Sequence, residues 1–155
     1  MGGAMNISCG RMAQVAACLL AAAVAGPSPA AAFGAVALGE PANIAKQGVA
    51  IGLSRNYSSK EGAEARALKE CLSFVDAPPD TRALCKIIRT FEKQCYAAAL
   101  DPQAGTPGFG WSVMPTKAEA ESSAMDRCRK TAGARRVKFC KVATSDCDNA
   151  ENPPP

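Results

Sequence analysis

Two stretches decide how this chain is read: residues 59–71, SKEGAEARALKEC, and residues 116–128, TKAEAESSAMDRC. In the first, small or apolar side chains stand at Ala63, Ala67, Leu68 and Cys71, with Leu72 next in line. In the second, Ala120, Ala124, Met125 and Cys128 occupy the same places at one constant offset. That spacing puts the side chains on one face of an α-helix, so helices are predicted over residues 59–72 and 116–129. Both open on hydroxyl residues, Ser58-Ser59-Lys60-Glu61 and Thr116-Lys117-Ala118-Glu119, in the pattern of a capping box.

The flanks of the two stretches correspond as well. Upstream lie the apolar runs Phe33-Gly34-Ala35-Val36-Ala37-Leu38 and Tyr96-Ala97-Ala98-Ala99-Leu100, each closed by a turn-rich segment, at 39–43 and 101–105. The Gly-led runs at 48–53 and 108–113 complete a hairpin in each half. Downstream, a long loop at 73–84 with a Pro78-Pro79 step precedes a strand at 85–91, and a loop at 130–136 precedes a strand at 139–144. The order is β-β-α-β twice, over residues 33–95 and 96–147. Neither half can cover its own sheet. The expectation is therefore an α+β fold in which two β-β-α-β repeats share one antiparallel sheet, with both helices packed on it. Residues 149–155 are polar, end in three prolines and read as a disordered tail.

Residues 1–32 read as a secretory signal peptide. Arg11 supplies a positive start, residues 12–25 an apolar run, and Ala30-Ala31-Ala32 a small-residue cleavage site, with cleavage after Ala32. The apolar run is short for a membrane span, which needs about 20 residues. Val15-Ala16-Ala17-Cys18 resembles a lipoprotein box, but most of the apolar run follows Cys18 where a lipobox should come after it. Removal of the leader leaves 17 basic against 14 acidic side chains and no transmembrane segment. The expected location is periplasmic or secreted.

Six cysteines remain after the leader: Cys71, Cys85, Cys95, Cys128, Cys140 and Cys147. An even number in an exported chain implies disulfides. Within each half, the cysteine ending the helix and the one opening the next strand are natural partners, giving Cys71–Cys85 and Cys128–Cys140. Cys95 and Cys147 remain, each closing its own half, and a bridge between them would tie the two copies together. In the loop-entropy picture the short bridges contribute about 3 kcal/mol each and the long one about 4 kcal/mol.

The whole pattern resembles the small exported bacterial domain of unknown function 4189 (DUF4189). The resemblance is carried by Phe33-Gly34-Ala35-Val36-Ala37, residues 59–71 with Ala63-Glu64, Cys85-Lys86-Ile87-Ile88 and Cys95. It recurs in Tyr96-Ala97-Ala98-Ala99, Gly110-Trp111-Ser112, residues 116–128 with Ala120-Glu121, Cys140-Lys141-Val142 and Cys147, as two tandem copies. The chain departs from it in the loop at 73–84 and in lacking an Asn-Gly-Cys ending. The resemblance implies export and a two-copy α/β unit, and it carries over no catalytic residue.

The chain contains no histidine. That excludes Ser-His-Asp and Cys-His arrangements and His-ligated metals. Without closely spaced cysteine pairs either, no metal and no cofactor is expected. Ser58-Ser59-Lys60 and the Glu119/Glu121 pair read as helix caps and a solvated face, so no catalytic residue is named. Gly108-Phe109-Gly110-Trp111 lacks the spacing of a phosphate-binding loop. The net charge is too small for a nucleic-acid footprint. One charge feature suggests a partner: Arg127, Arg129, Lys130, Arg135, Arg136, Lys138 and Lys141 lie within fifteen residues free of Asp and Glu. They form either a solvated face or an anion-binding patch for lipopolysaccharide, cell-wall polymer or an acidic protein. Trp111, the sole indole, is either packed in a hairpin or a contact residue. The leading reading is an exported, non-enzymatic binding module of the cell envelope whose partner is unknown. The alternatives are a small hydrolase of unfamiliar type, or a secreted effector or inhibitor protein.

Overall fold

The structure, a computed structural model, describes residues 32–148. The expected leader up to Ala31, Cys18 included, and the expected tail at 149–155 lie outside the described residues. In the first half, strands β1 (Phe33–Gly39) and β2 (Ala50–Tyr57) form a hairpin whose connection holds a short helix α1 (Ile44–Gln47). Helix α2 (Lys60–Leu72), a second short helix α3 (Pro79–Arg82) and strand β3 (Lys86–Glu92) follow. The second half runs β4 (Cys95–Leu100), β5 (Phe109–Met114), α4 (Lys117–Ala132), a 3-10 turn (Val137–Phe139) and β6 (Lys141–Cys147). The loop expected at 73–84 thus carries α3, with Pro79 at its first turn, where a missing N–H leaves no bond unmade. The strand expected at 139–144 starts two residues later, because Phe139 belongs to the 3-10 turn.

The caps form where the sequence places them. Ser59 accepts the Gly62 N–H at the start of α2. Thr116 and Glu119 form a complete capping box at the start of α4. The first helix lacks the return bond because Gly62 stands where Glu119 stands in the second.

The sheet differs from expectation. There are two three-stranded antiparallel sheets, ordered β2-β1-β3 and β5-β4-β6, in place of one shared sheet. The physical reason lies in the first strand of each half. β1 is bonded on one side to β2 and on the other to β3, and β4 likewise to β5 and β6, so each half completes its own three-stranded ladder. Each central strand is also apolar on both faces. Ala35 and Ala37 face α2, and Ala97 and Ala99 face α4. The alternate residues Val36 and Tyr96 point the other way. They meet in a cluster with Phe91, flanked by Ile51, Leu53 and Ile88 from the first sheet and Trp111 and Val113 from the second. The Phe91 and Tyr96 rings lie 6.1 Å apart. The two sheets therefore stack face to face with one helix on each outer side, giving four layers.

Each helix packs against its sheet through very small residues. Ala63, Ala67 and Cys71 of α2 and Ala120, Ala124 and Cys128 of α4 are fully buried. A Cβ on Gly52 would come within 1.9 Å of the Ala67 carbonyl oxygen. One on Gly110 would lie 2.4 Å from the Ala124 carbonyl oxygen and 2.5 Å from the Cys128 nitrogen. Glycine is required at both places because helix backbone rests directly on strand backbone. Two residues beyond each glycine sits a buried serine. The Ser54 hydroxyl donates to the Ala63 carbonyl at 2.7 Å and accepts the Ala35 N–H at 3.0 Å, where the β1–β2 register shifts. The β4–β5 register runs without a shift, and the Ser112 hydroxyl has no hydrogen-bond partner among the described residues.

Three disulfides join Cys71 to Cys85, Cys128 to Cys140, and Cys95 to Cys147. The first two clip each helix to the segment that returns to its sheet. Cys95 and Cys147 face each other on β4 and β6, so this bridge closes the second sheet. It does not tie the halves together, as the sequence led us to expect. That work falls to the stacked apolar layer and to polar links at one end of it. Arg55 of β2 pairs with Asp146 of β6 at 2.6 Å. The buried Asp148 carboxylate accepts the N–H of Asn56 at 2.7 Å and of Lys93 at 3.2 Å. Both donors hold left-handed backbone, φ 60° and 51°. Burial pushes the Asp148 carboxyl above its usual range, while the Asn56 and Lys93 N–H groups act in the opposite sense.

Two outcomes follow for urea unfolding. Gly52→Ala and Gly110→Ala are each expected to lose at least about 1–3 kcal/mol, since a rigid helix backbone must move. Ser54→Ala should lose about 1–3 kcal/mol by orphaning a buried N–H, whereas Ser112→Ala should be neutral or slightly stabilising. Equal losses at the two serines would contradict the hydrogen-bond assignment.

Candidate functional site

The basic run of the second half is sorted by the structure into cations with internal partners and cations on display. Helix α4 ends at Gly133 with φ 75°, and the chain turns through residues 134–136 into the 3-10 turn. Arg136 makes two parallel 2.7 Å hydrogen bonds from Nε and Nη2 to the two carboxylate oxygens of Asp101, whose side chain is completely buried. Such a fork-to-fork pair is specific in geometry as well as strong. Asp101 also accepts the Gln103 N–H at 3.1 Å. The Arg136 guanidinium lies 4.0 Å from the Phe139 ring centre. Arg136 is thus a structural residue that fastens the turn to the β4–β5 loop, and the Cys128–Cys140 bridge fastens it to α4.

The remaining cations are dispersed. Arg127 reaches the Trp111 ring at 5.6 Å, and Arg129 pairs with Asp126 at 3.2 Å. Lys130 and Arg127 border an open groove of about 580 Å³ that also contains Glu119 and Asp126, so its charge is mixed. Trp111 is half-buried and packs against the layer between the sheets. Arg135, Lys138 and Lys141 are exposed, on a stretch of eight residues that also exposes Val137, Phe139 and Val142 at 37%, 40% and 36%. The Lys138 Nζ stands 5.1 Å from the Phe139 ring centre. A partly exposed aromatic ring with Lys138 beside it, on a segment that also exposes two valines, Arg135 and Lys141, is the chemical character of this surface. Sequence reasoning missed its apolar half, because Phe139 was placed in a strand. The visible signal was Phe139 interleaved with Arg136, Lys138 and Lys141.

The hydroxyls and carboxylates read as helix caps and a solvated face make the following contacts. Ser59 and Glu119 cap helices. Glu121 accepts from Ser145 of β6 at 2.5 Å, and Glu64 in the first half accepts from Thr90 of β3 at 2.6 Å. Each Ala-Glu motif therefore binds a helix to the third strand of its sheet. Gly108 and Gly110 serve close packing against α4. Among the described residues no group of three or more Cys, Asp or Glu side chains is placed to hold a metal.

A second concavity lies between the halves at the end of the sheets opposite Asp148. Its volume is about 600 Å³, and it is lined by Lys46, Gln47, Gln103 and Thr106 of the two hairpin connections, with Asp76 of the α2–α3 loop and Phe109 of β5. That size suits a small organic ligand. Asp101 borders it, but the Arg136 guanidinium holds its carboxyl below the usual carboxylate range. A carboxylate kept ionised in this way is the reverse of a poised general acid.

The Asp101–Arg136 pair makes stability depend on pH in a known sense. The folded carboxyl is depressed, so its contribution is complete above the ordinary carboxylate range of about 4 and fades as pH falls through the lower folded value. Asp101→Asn should therefore melt below the parent at neutral pH, with a gap that narrows in acid. A gap independent of pH in the melting curves would argue against an ionic origin.

No helix among the described residues is long and apolar enough to cross a membrane. The three disulfides, a bond type that persists in oxidising compartments, are consistent with an extracytoplasmic protein. No curated protein and no solved structure matches the chain. The family defined as domain of unknown function DUF4189 matches once, across residues 33–147, so one family domain spans both halves in place of the two tandem copies expected. The α-β-β-α layers, with their helices seated on glycine and their three bridges, are thus the structure of a single unit, and the chain belongs to the DUF4189 family.

Proposed function

We propose that this domain is an exported, non-enzymatic binding module of the cell envelope, released from a cleaved leader, which holds an anionic envelope component on the surface of residues 135–142. The observation that carries this reading is the exposure of Arg135, Lys138 and Lys141 on one segment. All three are exposed on a segment braced by the Asp101–Arg136 pair and the Cys128–Cys140 bridge. A backbone braced in this way needs little ordering on binding, so less of the attraction for a polyanion is spent on it. The matching strand orders of the two halves further support reading them as an internal duplication within the one family domain.

Retention on an immobilised polyanion such as dextran sulfate, followed by elution with a salt gradient, tests the reading. The oxidised chain should bind and elute with salt. The double variant Arg135→Glu/Lys138→Glu should elute at clearly lower salt, while Lys60→Glu on α2 of the other half leaves elution nearly unchanged. Arg136 is unsuitable for this test because its loss disturbs the fold. Equal elution of the parent and the double variant would remove the proposal.

A further inference from the structure

We infer that the anionic partner is a lipid bilayer, and that residues 135–142 are the edge by which the domain sits on it. The inference rests on the reading of this surface as anion-binding, and adds the nature of the partner. A charged polymer would need only the cations. It gives no account of Val137, Phe139 and Val142, which are between a third and two fifths exposed within the same eight residues. A bilayer surface offers both components that this stretch requires: phosphate groups for Arg135, Lys138 and Lys141, and an apolar boundary for the ring and the two valines.

The local geometry favours shallow seating. Phe139 is fixed in the 3-10 turn, with Arg136 against its ring and Arg136 itself locked to buried Asp101. The ring is therefore held in position before contact, and little ordering is needed on binding. Lys138 lies beside the ring, where a long stem can follow the ring inward while its ammonium stays among headgroups. Charge complementarity is one-sided, since no Asp or Glu occurs between Asp126 and Asp146. The buried carboxylate nearest to the turn, Asp101, is already neutralised by Arg136.

Co-sedimentation of the full disulfide-bonded chain with vesicles tests this. The probes are phosphatidylcholine vesicles and vesicles of phosphatidylcholine mixed with phosphatidylglycerol. Binding is expected only to the mixed vesicles and should weaken with salt. Each neutralised cation among Arg135, Lys138 and Lys141 should reduce it about fivefold. Phe139→Ser should reduce vesicle binding by about tenfold while leaving dextran sulfate elution where it was, and Phe139→Trp should restore it. Thermal melts confirm that these exposed-site variants stay folded. Vesicle binding by Phe139→Ser equal to that of the parent would overturn the bilayer assignment. So would retention on dextran sulfate with no binding to the mixed vesicles, and in that case the polyanion reading itself stands. Loss of both would end the two together.

Discussion

The whole domain depends on two places where helix backbone lies directly on strand backbone. At Gly52 and Gly110 there is no room for even one carbon, and the helix faces above them are limited to alanine and cysteine. Such an interface is tight but carries little apolar area, and stabilisation from burial scales with area. Most of the buried side chains between helix and sheet are alanines. The covalent bridges at Cys71–Cys85 and Cys128–Cys140 therefore stand where the helix contact is geometrically demanding and energetically thin. On the other face of the sheets the buried side chains are larger, Val36, Phe91 and Tyr96, with Ile51, Leu53 and Trp111 packed against them.

This division of labour explains why the halves stack. The fully buried residues on the helix side are alanines and cysteines, whereas the buried Val36, Phe91 and Tyr96 lie on the opposite face, and a half on its own would leave that face in water. Stacking the two faces removes it. The polar links at one end, Arg55 with Asp146 and Asp148 with two left-handed N–H groups, fix how the halves are placed relative to one another. At the other end the hairpin connections diverge around a groove.

The same framework decides which charges are available for function. Seven cations looked equivalent as a run. In the fold, Arg136 becomes a strut to a buried carboxylate, Arg129 pairs along its helix and Arg127 lies near an indole. Arg135, Lys138 and Lys141 are left at the surface, with Lys138 beside the exposed Phe139 ring. The strut is what makes this surface rigid, because it binds a turn with few contacts of its own to the β4–β5 loop.

The sequence by itself determined the helices and their starts, since a repeat of small residues every three or four positions and a hydroxyl cap are local properties. It determined the alternating pairs of strands, and an α+β class, for the same reason. The tertiary structure alone decided that there are two sheets, because strand pairing is a non-local choice and the meeting of Val36 with Tyr96 across the layers depends on how the two halves pack. It alone placed the Cys95–Cys147 bridge within one sheet. It alone distinguished Arg136 from Arg135. Neighbours in sequence have the same charge, and only burial of Asp101 against one of them turns that one into structure and leaves the other free to meet a partner.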